Sequence, residues 1–174
     1  MPRDLLGKSE IEGCLRELAE RLAERGTAAR IYVVGGAAIV VRYETRSATR
    51  DVDAAYHPEA DVEDVADTIG IERDIGPGWL NNAAVQFFPT GRVDAEATVL
   101  IEHQGVRIEI APPDALLAMK LNAARLRDRQ DIETLMRHLG ITSPEQALAV
   151  FSLHYPDKMP SEDLLDRLDE IFDR

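Results

Sequence analysis

A β-branched run, Arg30-Ile31-Tyr32-Val33-Val34, ends in Gly35-Gly36 and continues into the apolar Ala37-Ala38-Ile39-Val40. Shortly afterwards comes Thr49-Arg50-Asp51-Val52-Asp53. Few folds accept that order: a buried strand, a turn that needs glycine, a short helix, then a strand carrying two acids one residue apart. Successive side chains on a strand point to opposite faces, so Asp51 and Asp53 are expected on one face with Val52 on the other. Their Cα atoms would lie roughly 6.6 Å apart at about 3.3 Å per residue. Two carboxylates converging to about 4 Å repel by about 4 kcal/mol at an effective dielectric near 20, so the pair calls for a cation. All-oxygen ligation favours magnesium or manganese. Gly35 and Gly36 offer unhindered backbone approach, positive φ, and N–H groups at a helix N-terminus, which suits a phosphate.

Taken singly, each piece has a plainer meaning. A Gly-Gly pair is most often a turn, and a lone Asp-x-Asp is usually a solvated strand edge. The conjunction carries the weight.

The rest of the chain supplies the frame. Ser9-Glu10-Ile11-Glu12 reads as a capping box for a helix with Ile11, Cys14, Leu15, Leu18 and Leu22 on its apolar stripe and Gly26 as its stop. The spacing predicts strands over 30–34 and 51–56, and helices over 37–43 and through Val62, Val65, Ala66 and Ile69 to Gly70. Residues 74–91 read as loop with one short element around Ala83 to Phe88. Alternation on both sides of Gln104-Gly105 predicts a hairpin of 97–103 with 106–110, Val106, Ile108 and Ile110 facing the core. Pro112-Pro113-Asp114 opens a helix that either continues or breaks near Arg127 before Gly140. Ser143-Pro144-Glu145-Gln146 and Ser161 start two more. The expected class is α+β (α/β-like): a small mixed sheet with flanking helices in 1–112, then a helical C-terminal part, 113–174, packed on that core.

Composition narrows the function. At 174 residues, 45% hydrophobic and 30% charged, the chain has the make-up of a globular domain rather than a disordered one. No apolar run reaches membrane-helix length, and Met1-Pro2-Arg3-Asp4 lacks a signal-peptide core, so no membrane partner and a cytoplasmic location are expected. A net charge of −12, from 32 acidic against 20 basic residues, weighs against a broad nucleic-acid face. Screening within about 8 to 10 Å still allows a local basic grip on an RNA end. Cys14 is the only cysteine, which excludes a disulfide within the chain, and the four histidines are too scattered for a metal cluster and read as structural.

Strand, Gly35-Gly36, helix and Thr49-x-Asp51-x-Asp53 together resemble the minimal nucleotidyltransferase superfamily. The segment Lys120 to Ile132, with Lys120, Arg125, Asp128 and Asp131, resembles the third and fourth motifs of its AbiEii-type toxin branch. The resemblance implies a nucleotidyltransferase fold and transfer of a nucleoside monophosphate from a nucleoside triphosphate. It implies Asp51 and Asp53 as metal ligands for Mg2+ or Mn2+, Gly35, Gly36, Thr49 and Lys120 on the nucleotide, and functional roles for Lys120 and Asp131. A transfer RNA 3′ end is one acceptor it implies, a protein side chain another, and a separately encoded antitoxin would neutralise the toxin. A catalytically silent interaction module of the same fold is the alternative of a different class.

Helical geometry constrains that carry-over. Lys120 and Arg125 sit about 140° apart on a continuous helix, and Lys120 and Asp131 about 16 Å apart along it. Either the helix breaks near Arg127 or the two touch different groups. The plainer expectation is an exposed face laced by Arg127 with Asp131 and Arg125 with Asp128. Glu109, the acid set among apolar residues on the hairpin's second strand, is a candidate third metal ligand by analogy with other nucleotidyltransferases, against the reading of an outward strand glutamate.

Overall fold

A computed structural model describes residues 5–43, 46–91 and 96–173. The chain divides into two compact units, 1–86 with 97–111, and 87–96 with 112–174.

In the first unit a five-stranded mixed sheet has the order β5-β4-β2-β7-β6, built from β2 (Ala29–Val33), β4 (Val52–His57), β5 (Leu80–Asn81), β6 (Thr98–His103) and β7 (Val106–Ile110). β2 runs antiparallel to β4 and parallel to β7, while β5 runs parallel to β4. The predicted alternation holds. Ile31, Val33, Val52, Ala54, Ile108 and Ile110 are buried on one face, and register puts Arg30, Tyr32, Asp53, Ala55 and Glu109 on the other. The hairpin turns through Gln104 (φ 44°) and Gly105 (φ 88°), the paired positive φ values of a type I′ turn. Helix α1 (Lys8–Glu24) packs against α2 (Gly35–Tyr43), α3 (Glu59–Glu72) and the β6–β7 hairpin, and α2 and α3 pack on β4.

The first helix starts earlier than its sequence signature. Its cap is Gly7, whose N–H donates to Glu10 Oε2 at 2.9 Å, so Ser9 lies inside the first turn. The shift follows from β1 (Leu6–Gly7), which pairs with β3 (Ala48–Thr49) in a small two-stranded sheet and delivers the chain to the helix already extended. Two-residue strands carry no periodicity, so this one has no signature in the residue pattern.

The stretch expected to be loop is anchored by Trp79. The indole is fully buried, its Nε1 donates to Ala66 O at 2.6 Å, and its own carbonyl accepts from Val52 N at 2.6 Å. Gly70 of α3 makes the approach possible, because a Cβ there would meet Gly76 O at 2.2 Å. β5 follows, and a 3-10 turn covers Ala83–Phe87.

The second unit is helical: α4 (Pro113–Ala123), a 3-10 turn (Leu126–Asp128), α5 (Arg129–Leu139), α6 (Pro144–His154) and α7 (Glu162–Phe172). The charged segment breaks at Ala124, which adopts φ 47° and ends α4. Ser143 and Ser161 cap α6 and α7 by accepting from Gln146 N and Leu164 N. His154, fully buried, bonds Asp114 Oδ2 at 3.1 Å and ties the end of α6 to the start of α4.

Candidate active site

The strand-turn-helix segment begins where β2 runs out. Gly35 takes φ +64°, a conformation L side chains resist, and α2 begins on that residue. The space where a Cβ would sit is taken by the acid strand: a Cβ on Gly35 would stand 2.9 Å from Asp53 Oδ2. A Cβ on Gly36 would stand 3.0 Å from Thr49 Oγ1 and 3.2 Å from Arg46 Nη1. Gly35 is needed for its φ and for this close approach, while a side chain at Gly36 would crowd Thr49 and Arg46. The turn, Thr49, Arg46 and Asp53 form one cluster at the ends of β2 and β4. Thr49 is almost wholly buried, and Arg46 is held by Nε donating to Ala48 O at 3.0 Å. Arg46 carried no signal in the sequence, because a lone arginine between two short elements fits no motif.

Asp53 lies in β4 and Asp51 immediately before it, both half-buried. Asn81 stands beside Asp53 in the parallel β4–β5 register, and its Nδ2 donates to Asp51 Oδ2 at 3.2 Å. One side chain flanking both acids puts Asp51 and Asp53 on a common face, as alternation predicts. Asn81 was missed because it sits in a two-residue strand inside apparent loop.

Glu109 stands apart from this pair in the sheet. It stands beside Tyr32, two strands across and two residues along from Asp53, which places its Cα roughly 12 Å away at ordinary sheet spacings. Its carboxylate accepts from Arg107 Nε at 2.8 Å and Arg30 Nη2 at 3.2 Å. The Arg107 hydrogen bond, aided by Arg30, holds it below the usual carboxylate range. Among the described residues no group of three or more His, Cys, Asp or Glu is arranged to hold a metal. A pair of carboxylates nevertheless fits magnesium, which commonly takes one or two carboxylates and completes its shell with waters and substrate phosphates. With no Cβ on Gly35, Asp53 Oδ2 stands directly against the backbone of the turn.

In the second unit the break at Ala124 folds α5 back, and Lys120 Nζ reaches Asp128 Oδ1 at 2.6 Å and Asp131 Oδ2 at 2.9 Å. All three side chains are at most 11% exposed. Arg127 with Asp131 and Arg125 with Asp128 are not the pairs that form. Asp128 and Asp131 share Lys120 instead, and Arg125 lies over the Phe87 ring, 5.7 Å from its centroid.

A glycine turn set against an acid pair on a mixed sheet is the arrangement of a nucleotidyltransferase. The model of the family described as "Nucleotidyltransferase of unknown function (DUF6036)" matches residues 13–140, and the chain belongs to that family. The match runs from α1 through the C-terminal stop of α5, so it takes in the turn, the acid strand and the Lys120 cluster. No curated protein and no solved structure matches the chain. No helix among the described residues is long and apolar enough to cross a membrane.

Proposed function

We propose that the protein transfers a nucleoside monophosphate from a nucleoside triphosphate to an acceptor hydroxyl. The acceptor hydroxyl oxygen attacks the α-phosphorus in line and gives up its proton to solvent, the bond to the bridging oxygen breaks, and pyrophosphate leaves. The reading is supported above all by the contact of Gly35 with Asp53, since phosphate-accommodating backbone and metal-ligating acid meet with no side chain between them. Asp51 and Asp53 would hold Mg2+ or Mn2+, which supplies neutralisation of charge on the transferring phosphate. Gly35 and Gly36 offer backbone N–H groups to the polyphosphate, with Thr49 beside them. Lys120 and Asp131 act in transfer as the resemblance implies, with Asp128 sharing their lysine.

The acceptor is the finer part of the proposal. By its likeness to the AbiEii-type branch the protein is a toxin that modifies transfer RNA and is neutralised by a separately encoded antitoxin. The net charge of −12 favours a second reading, in which the acceptor is a side chain of a partner protein. Incubating enzyme and an α-labelled triphosphate with transfer RNA in one reaction and with cell protein in another separates them. Label in RNA supports the first reading and label in protein the second. Magnesium-dependent nucleotide binding without transfer to either would contradict both acceptors, and absence of any nucleotide binding would leave a silent interaction module.

A further inference from the structure

We infer that Asn81 is a positioning residue for the metal-ligating acid pair, an inference that rests on the metal-dependent reading above. The orientation of its amide follows from the bonds around it. Asn81 Oδ1 accepts from Ala83 N at 3.0 Å, and a backbone N–H can only donate, so the oxygen end of the amide must face Ala83. The NH2 end is thereby turned to Asp51, where it donates to Oδ2 at 3.2 Å. A flipped amide would lose both bonds.

The strand that carries Asn81 is tied into the fold on both sides. β5 is fixed to β4 by Val52 N donating to Trp79 O, and the fully buried Trp79 indole is pinned to α3 through Ala66 O. Gly78 N adds a bond to Asp67 Oδ1 at 2.7 Å. Register then sets Asn81 directly beside Asp53. The donated bond takes Oδ2 of Asp51 and fixes the rotation of the carboxylate, leaving Oδ1 for the cation. A neutral donor does this without adding to the positive charge that Arg46 already brings to the cluster. Groups that orient a metal's ligands in this way typically contribute about 10- to 100-fold to metal affinity.

Two substitutions separate this role from turn capping. Asn81→Ser keeps an oxygen for the Ala83 N–H but is too short to reach Asp51, whereas Asn81→Ala loses both bonds. Mn2+ binding is followed by the electron paramagnetic resonance of the free ion in the presence of a non-hydrolysable triphosphate, with melting in EDTA alongside. The expected result is weakening of Mn2+ binding by about 10- to 100-fold in both variants, with a lowered melting temperature in Asn81→Ala only. In turnover, kcat falls while KM for the nucleotide moves less. Wild-type Mn2+ affinity in Asn81→Ser overturns the inference and leaves the nucleotidyltransferase reading intact. A loss of affinity that appears only in Asn81→Ala, together with lost melting temperature, makes Asn81 a turn residue and overturns it equally. Absence of Mn2+ binding by the wild-type protein overturns the metal-dependent reading itself, and the role of Asn81 with it.

Discussion

Gly35 and Asp53 meet through an atom that is absent: a Cβ on Gly35 would stand 2.9 Å from Asp53 Oδ2, and Gly35 holds φ +64°. Gly26 has a similar φ of +70° with nothing within 4 Å of its would-be Cβ. The two glycines therefore separate backbone strain from contact with the acid. Gly26→Ala is expected to cost about 1–2 kcal/mol, the penalty for a left-handed alanine, and to leave transfer unchanged at temperatures where the protein is folded. Gly35→Ala is expected to cost at least as much and to abolish transfer as well, because Asp53 must move. Denaturant melts and rate measurements on both variants check this.

Removing the acid itself is the complementary test. Asp53→Ala is expected to reduce transfer from an α-labelled triphosphate by at least about 100-fold, in keeping with the several kcal/mol that a charge-neutralising metal supplies. Retained activity would contradict the assignment of Asp53.

The Lys120 cluster makes a prediction about stability. Lys120→Met leaves Asp128 and Asp131 buried together without their cation, and breaking such a pair costs about 3–5 kcal/mol. Asp131→Asn keeps the 2.6 Å bond from Lys120 to Asp128 and is expected to cost about 1–3 kcal/mol. Urea unfolding of the two variants ranks them. A larger fall in transfer than in stability for Asp131→Asn assigns it a part in the reaction, whereas Lys120→Met as stable as wild type contradicts the buried cluster.

Glu109 gives a prediction in pH. Its folded-state pKa lies below the usual value of 4.5, through Arg107 first and Arg30 second. A depressed carboxylate pKa stabilises the fold above the unfolded-state value and loses that contribution as pH falls through the folded value. Wild type is therefore expected to be more stable than Glu109→Gln at neutral pH. The gap in urea midpoint should narrow below about pH 4.5. Glu109→Gln is also expected to bind Mn2+ as wild type does, since the carboxylate stands apart from the acid pair.

Periodicity carried most of the sheet. The β-branched run at 30–34, the alternation at 106–110 and the Gln104-Gly105 turn each depend on local chemistry, and each appears in the structure at or within a residue of its expected bounds. The acid pair and glycine turn were legible for the same reason, as both rest on short-range geometry. Asn81 and Arg46 were not, because their importance comes from which strands lie side by side, and two-residue strands leave no pattern. The pairing of Lys120 with Asp128 and Asp131 was hidden by a single alanine at φ 47°, a conformation that nothing in the residue type announces. For Glu109 the polarity and the face were legible, but its distance from the acid pair depends on strand order, which leaves no local pattern.

On the reading proposed above, Asp51 and Asp53 bind a metal-bound nucleotide beside the glycine turn. Crystals grown with Mn2+ and a non-hydrolysable triphosphate test it most directly, through anomalous scattering at an energy specific to manganese. The expected result is a peak within coordination distance of both carboxylates, with the polyphosphate against Gly35 and Gly36. A fully bound nucleotide with no manganese at those acids, or with its phosphates elsewhere on the molecule, would contradict it.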